Sequence, residues 1–160
     1  MKTVLFIQAG GTIDKNYMAS SGNYGYNFEI SEPAVKSILE RIKPDFRFEI
    51  LTVCRKDSLD MTDLDRQKML KKCRDTKAEH IIITHGTDRF IKTAKVLDEI
   101  GDKVIVLTGS MKPEKFKNSD AEFNIGTAVG AINFLKNGVY VAMSGMVYSW
   151  KEYQKLKKAK

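Results

Sequence analysis

The sequence predicts an α/β fold: a three-layer, doubly wound, mainly parallel sheet of about five strands with helices on both faces. Three observations predict it. Short apolar runs alternate with longer stretches of helical periodicity through five strands and four helices. The central runs, 80–84 and 104–108, are β-branched and apolar on both faces, as strands sandwiched between helical layers must be. Four of the runs end in clusters of glycine, hydroxyl and acidic side chains: Gly10-Gly11-Thr12, Asp57-Ser58, His85-Gly86-Thr87-Asp88 and Gly109-Ser110.

Taken in order, residues 2–8 read as a buried strand running into Gly10-Gly11-Thr12, a sharp turn with room for a ligand at the main chain. Residues 9–31 form a long loop carrying Tyr17, Tyr24 and Tyr26, the kind of segment that often serves as a lid. Ser31-Glu32-Pro33 reads as a helix start with Ser31 as capping hydroxyl. Val35, Ile38, Leu39 and Ile42 form its apolar stripe, and Pro44 stops it. Alternation from Phe46 to Thr52 predicts a strand ending near Cys54. Thr62 with Asp65 three residues on predicts a capped helix over about 62–77. The strand 80–84 follows, then a helix with Phe90, Ala94 and Leu97 on one face, then the strand 104–108. A helix over about 120–136 and a fifth strand at 139–143 complete the pattern. One domain spanning 1–160 is expected, with a basic tail at about 151–160.

Composition narrows the function. The chain has 160 residues and is 42% hydrophobic, enough to bury a core of its own. Net charge is +7, but five lysines and one glutamate fall between Lys151 and Lys160, so much of the excess reads as a solvated tail. A nucleic-acid binder would show a basic face with arginines or aromatic platforms, so no nucleic-acid partner is expected. No run approaches the roughly 18 apolar residues of a membrane helix, so no membrane partner is expected either. Two cysteines, Cys54 and Cys73, are too few for a disulfide framework and read as small hydrophobes. With no secretory signal ahead of Met1, the expected setting is cytoplasmic.

In a parallel sheet the four polar clusters share one edge. With strand order 2-1-3-4-5, a flavodoxin/Rossmann-like arrangement, the first and third strands meet at the switch point, and Thr12 faces Thr87 across it. The glycines match neither phosphate-loop nor dinucleotide spacing, so no nucleotide is expected. His80, His85, Cys54 and Cys73 lack paired ligand spacing, so no metal is expected. Two threonines, an aspartate and loop tyrosines suggest attack by a hydroxyl helped by a neighbouring base, a tyrosine or a lysine made less basic by burial. The competing reading is that Thr12 and Thr87 merely cap the helices that follow.

Gly10-Gly11-Thr12-Ile13, Asp57-Ser58-Leu59-Asp60-Met61-Thr62, His85-Gly86-Thr87-Asp88, Leu107-Thr108-Gly109-Ser110-Met111-Lys112-Pro113 and Ser119-Asp120-Ala121-Glu122-Phe123-Asn124 closely resemble, in this order, signature segments of bacterial-type L-asparaginases. The resemblance covers that family's amino-terminal domain, with no carboxy-terminal counterpart. It implies hydrolysis of asparagine, or a related small amide, to aspartate and ammonia, without metal or organic cofactor. Thr12 matches the acylated nucleophile. Thr87 and Asp88 match the second catalytic pair, which works with a lysine after the fifth strand, Lys155 or alternatively Lys151. A loop tyrosine assists: Tyr24 is chosen, with Tyr17 and Tyr26 as competitors. Asp57 and Ser58 match residues holding the substrate's α-carboxylate and α-amino ends, and backbone near Gly11 and Thr87 supplies the oxyanion hole. Gly86 and Ser110 complete the expected substrate shell. Arg89 departs from the family's usual threonine. A homo-oligomer is expected, since a site without its second domain needs cover from water. The alternative is an amino-acid-binding or regulatory module that retains this pocket with little or no turnover.

Overall fold

The first strand, β1 (Thr3–Gly10), is buried almost throughout and organises the sheet. The computed structural model describes residues 2–17 and 28–160. After β1 come a short antiparallel pair, β2 (Lys15–Tyr17) with β3 (Phe28–Ile30), then α1 (Ala34–Ile42), β4 (Arg47–Lys56) and α2 (Asp63–Asp75). There follow β5 (His80–Thr84), α3 (Phe90–Leu97), β6 (Val104–Thr108), α4 (Ala121–Ile132), β7 (Gly138–Met143), β8 (Met146–Ser149) and α5 (Trp150–Lys158). The main sheet runs β4-β1-β5-β6-β7-β8, parallel except for β8. Its first five strands, counted along the chain, have the expected order 2-1-3-4-5.

Side chains of a strand alternate between the two faces, which divides the core in two. Leu5, Ile7, Ile81, Ile83, Ile105 and Leu107 pack with Met69, Leu70, Cys73, Phe90, Ala94 and Leu97 of α2 and α3. Val4, Phe6, Ile82, Val104 and Val106 pack with Val35, Ile38 and Leu39 of α1 and Ile125, Ala128 and Ile132 of α4. Full burial of each such aliphatic side chain stabilises the fold by about 1.5–3 kcal/mol before entropy is counted.

Two local readings are corrected. The basic stretch at 151–160 is largely helical. Ser144 and Gly145 adopt positive φ, a two-residue turn that folds β8 back antiparallel on β7. Ser149 then caps α5 reciprocally: its hydroxyl accepts from Glu152 N while Glu152 Oε2 accepts from Ser149 N. Trp150 is buried and Tyr153 meets Phe90 edge-on with ring centroids 6.1 Å apart, so lysines ride on a helix held by its aromatic face. The Ser-x-x-Glu signal was legible, but lysine density masked it.

The second correction concerns α1. Ser31 does not cap it; the Ser31 hydroxyl donates to the Asp14 carbonyl. Asp14, twenty residues upstream, provides the acceptor instead: its Oδ1 takes the Ala34 N–H at 2.7 Å. By contrast the Thr62–Asp65 box at the start of α2 forms as expected, with both reciprocal bonds present.

Asp14 is almost wholly buried, and among the described residues its Oδ2 has no hydrogen-bond partner. Burial pushes its carboxyl up to about 7, although the Ala34 amide pulls the other way. The folded chain therefore holds this proton more tightly than the unfolded chain, whose ordinary value is 3.8. The stability Asp14 contributes is complete below the unfolded value and is lost as pH rises through the folded one. Asp14→Asn keeps the acceptor and removes the titration. Urea unfolding from pH 4 to 8 is expected to show wild-type stability falling relative to Asp14→Asn; parallel profiles would contradict this account.

Candidate active site

Four strand ends interlock on one edge of the sheet, and glycines make the interlocking possible. Gly11 N donates to Lys56 O at 3.0 Å, joining the end of β1 to the end of β4. Gly10 and Gly11 have φ of 117° and 85°, a region open to glycine and strained for other residues. A Cβ on Gly11 would stand 2.4 Å from Gly86 N, so main chain touches main chain where β1 and β5 finish. A Cβ on Gly86 would stand 2.7 Å from Ser58 Oγ, and one on Gly109 2.4 Å from His85 O. The ends of β4, β5 and β6 are thus wedged around the Gly11–Gly86 contact.

Thr12 and Thr87 each follow one of these two touching glycines. Both are half-buried, and each opens a one-turn 3₁₀ helix, Thr12–Asp14 or Thr87–Arg89. The N-cap residues are the glycines, with no side-chain cap bond. Among the described residues, neither threonine hydroxyl has a hydrogen-bond partner, so the capping reading finds no support.

Beneath the second turn lies a buried relay that the sequence does not announce. His85 is buried; its Nδ1 lies 2.6 Å from Gly86 O and its Nε2 2.7 Å from Thr93 Oγ1. A carbonyl can only accept, so Nδ1 carries the proton and Nε2 accepts from Thr93. Arg66 Nε donates to the same Thr93 oxygen at 3.2 Å, and Arg66 Nη1 to Met61 O at 3.0 Å. Burial pushes the imidazole down to about 4, against the pull of the Gly86 bond, so it is neutral near pH 7. The relay fixes the Gly86 carbonyl, and with it the start of the Thr87 turn. Nothing in the spacing of His85, Thr93 and Arg66 marks them as partners.

Ser58 is buried and, among the described residues, its Oγ is unpartnered. Asp57 is half-buried and pairs with Lys15, Nζ to Oδ2 at 3.1 Å. Burial alone would raise the Asp57 carboxyl; the hydrogen bonds from Lys15 and the Leu59 amide outweigh it and hold the group below the usual carboxylate range. Asp88 is exposed. With Thr87 it lines a cleft of about 640 Å³ whose other walls include Met111, Met143, Tyr148, Tyr153 and Lys157.

Other expected members fall elsewhere. Lys155 is exposed on α5 and is not among the residues lining this cleft, whereas Lys157 and Lys160 are. Lys151 faces Asp98 at 3.7 Å. Ser110 is buried and donates its hydroxyl to Lys112 O. Tyr24 and Tyr26 lie outside the described residues. Tyr17 is half-exposed, with its ring 5.2 Å from Phe28 and 5.8 Å from Phe116. The Cys54 and Cys73 thiols are pushed up by burial to about 11 and about 12, so neither is a thiolate near pH 7.

Asp120 and Asn124 explain the fifth segment. Asp120 accepts from Met111 N and Lys112 N, each at 3.0 Å. Asn124 Nδ2 donates to Gly109 O at 2.9 Å, and Asn124 Oδ1 accepts from Ser144 N at 2.9 Å. One helix end therefore fastens the loop after β6 and the turn after β7. The wedge itself is testable: Gly11→Ala forces a side chain into Gly86 at unfavourable φ, with an expected cost of about 1–3 kcal/mol from strain alone. Chemical denaturation of Gly11→Ala measures that cost, and unchanged stability would show that the two turns do not press on each other.

Comparison with known proteins agrees with this geometry. The model of the asparaginase N-terminal family matches residues 3–160. The glutaminase-asparaginase of Acinetobacter glutaminasificans is 26% identical over 162 residues, covering 95% of this chain and 49% of that protein. A glutamyl-tRNA(Gln) amidotransferase subunit from Methanococcus vannielii is 28% identical over 151 residues, covering 92% of this chain and 35% of that protein. Among solved structures, the thermostable L-asparaginase of Thermococcus kodakarensis aligns with TM-score 0.76 and 25% identity over 92% of this chain and 46% of its own. The probable cytoplasmic L-asparaginase of Campylobacter jejuni, at TM-score 0.77 and 23% identity over 94% and 47%, shares the fold. The chain spans about half the length of these relatives or less. The interlocked strand ends, the five segments in order and the matched family model make this chain a member of the asparaginase family, over that family's N-terminal domain.

Proposed function

We propose that this chain cleaves the side-chain amide of L-asparagine, or of a related small amide, with Thr12 as nucleophile. The observation that carries the reading is the Thr12 hydroxyl: half-buried, without a described partner, and one residue from the contact between Gly11 and Gly86. In the proposed reaction Thr12 Oγ attacks the amide carbon and gives up its proton to a base. Backbone N–H groups at the Gly11 and Thr87 turns hold the developing oxyanion, a type of contact worth about 3–4 kcal/mol per donor where measured. The C–N bond breaks, the nitrogen takes a proton and leaves as ammonia, and an acyl ester remains on Thr12. Water then hydrolyses the ester, releasing aspartate and restoring the hydroxyl.

Thr87 and Asp88 belong to this scheme as the second catalytic pair. Lys155, with Lys151 as the alternative, and Tyr24, ahead of Tyr17 and Tyr26, are the proposed bases. Asp57, Ser58, Gly11, Gly86 and Ser110 form the proposed substrate shell. The amide class is supported by the relatives' names, which include a glutaminase-asparaginase and a tRNA amidotransferase subunit. One domain, a homo-oligomeric state and a cytoplasmic setting complete the proposal; among the described residues no helix is long and apolar enough to cross a membrane.

A second reading, an amino-acid-binding module with little turnover, is favoured by one observation: neither Lys155 nor Lys151 lines the cleft beside Asp88. The readings separate in one assay. Ammonia release from asparagine is expected in wild type and reduced on the order of 10³-fold or more in Thr12→Ala. Calorimetric binding of asparagine with no ammonia release in wild type would favour the binding module.

A further inference from the structure

An arginine sits in the core. Arg66, on α2, is 1% exposed and heads the fully buried side chains in size. A guanidinium keeps its charge when it leaves water, which is costly unless partners offset it. Among the described residues its one ion partner is Asp63, 3.6 Å away and 84% exposed, so that pair offsets little. What Arg66 does hold is Thr93 of α3: its Nε donates to Thr93 Oγ1 at 3.2 Å, from one helix to the next.

The bonds beyond Thr93 run in one direction. A guanidinium has no acceptor, so the Thr93 hydroxyl hydrogen cannot turn to Arg66 and goes to His85 Nε2, 2.7 Å away. At the far end Gly86 O can only accept, so His85 Nδ1 carries the hydrogen that it receives, at 2.6 Å. Every donor from Arg66 onward therefore points toward Gly86 O, and bonds aligned head to tail strengthen one another. That carbonyl shares a peptide unit with Thr87 N. Resonance couples the two, so charge drawn onto the oxygen makes the N–H a stronger donor. Thr87 opens the turn Thr87–Arg89, and the first N–H of a helical turn finds no partner within it. We propose that Arg66 is a positioning residue for amide cleavage, which acts through Thr93 and His85 to polarise the Gly86–Thr87 peptide and strengthen Thr87 N–H as an oxyanion donor. This role rests on the proposed amide-cleaving site and adds to it a buried charge that never touches substrate.

Arg66→Met removes the charge and leaves no buried anion behind, since Asp63 faces water. Removing an oxyanion donor outright costs about 10²–10³-fold, so weakening one is expected to lower kcat for asparagine about ten-fold. The donor acts in the transition state, so KM is expected to stay within about two-fold of wild type. Thr93→Val breaks the same chain and is expected to lower kcat likewise, whereas Thr93→Ser keeps the hydroxyl and holds kcat near wild type. Because the residues act in series, Arg66→Met/Thr93→Val is expected to lose no more than the worse single variant. Full activity in Arg66→Met, a loss confined to KM, or losses that multiply in the double variant would overturn the inference. Should Arg66→Met fail to fold, Thr93→Val against Thr93→Ser decides it, and equal kcat in those two would overturn it. Should wild type release no ammonia, the catalytic proposal fails by itself, and nitrogen-15 NMR decides the point about Arg66. The chain has two histidines, which simplifies assignment. His85 must carry its hydrogen on Nδ1, and the resonances of His85 Nε2 and the Thr87 amide must both shift in Arg66→Met. A hydrogen on Nε2, or an unmoved Thr87 amide, would overturn it.

Discussion

The Gly11–Gly86 contact is the constraint on which the site depends. Two adjacent parallel strands end, and their chains leave the sheet so close together that a Cβ on Gly11 would strike Gly86, while one on Gly86 would strike Ser58. The contact does two things at once. It brings both threonine turns to the same point of the sheet edge. It also gives the loop after β4 a surface to close on, through Ser58 against Gly86 and Lys56 O on Gly11 N. Polar residues recruited from four separate loops are held by backbone geometry rather than by long flexible side chains, which favours the fixed positions that catalysis needs.

Buried polar groups around this contact are arranged to keep it in place. His85 stays neutral because it is out of water, and a neutral imidazole can donate to Gly86 O and accept from Thr93 at once. Asp14 ends the Thr12 turn and fastens it to α1 through Ala34, on the opposite face of the sheet from the relay. Ile13 O accepts from Glu114 N, which joins the same turn to the loop after β6. The Thr12 turn is therefore held from α1 and from the loop after β6.

The sequence reveals most where residues act locally and least where partners are distant. The strands His80–Thr84 and Val104–Thr108 were legible to the residue, because a strand buried on both faces leaves an unbroken β-branched run between polar clusters. The capping box of α2 was equally plain, since its residues lie three apart. Ser31 was a reasonable cap for α1, but Asp14 reaches that helix only because the chain doubles back. β4 extends to Lys56, beyond the end expected near Cys54, because pairing with β1 continues past a register shift between Gln8 and Gly10. The same limit hides much of the site. Thr12 and Thr87 are marked by their glycines, whereas the Arg66–Thr93–His85 relay and the Lys15–Asp57 pair exist only once the sheet has formed. Residues 150–158 wind into a helix on which successive lysines point in different directions, so counting along the chain says little about which of them turns toward the cleft.

Sheet order, glycine wedge, uncommitted hydroxyl and family membership converge on one claim, that Thr12 carries the acyl group during amide cleavage. Rapid acid quenching during turnover of asparagine, followed by intact-mass measurement and peptide mapping, tests it most directly. The account predicts a trapped aspartyl ester on the peptide that contains Thr12. An ester on the peptide that contains Thr87 would contradict it.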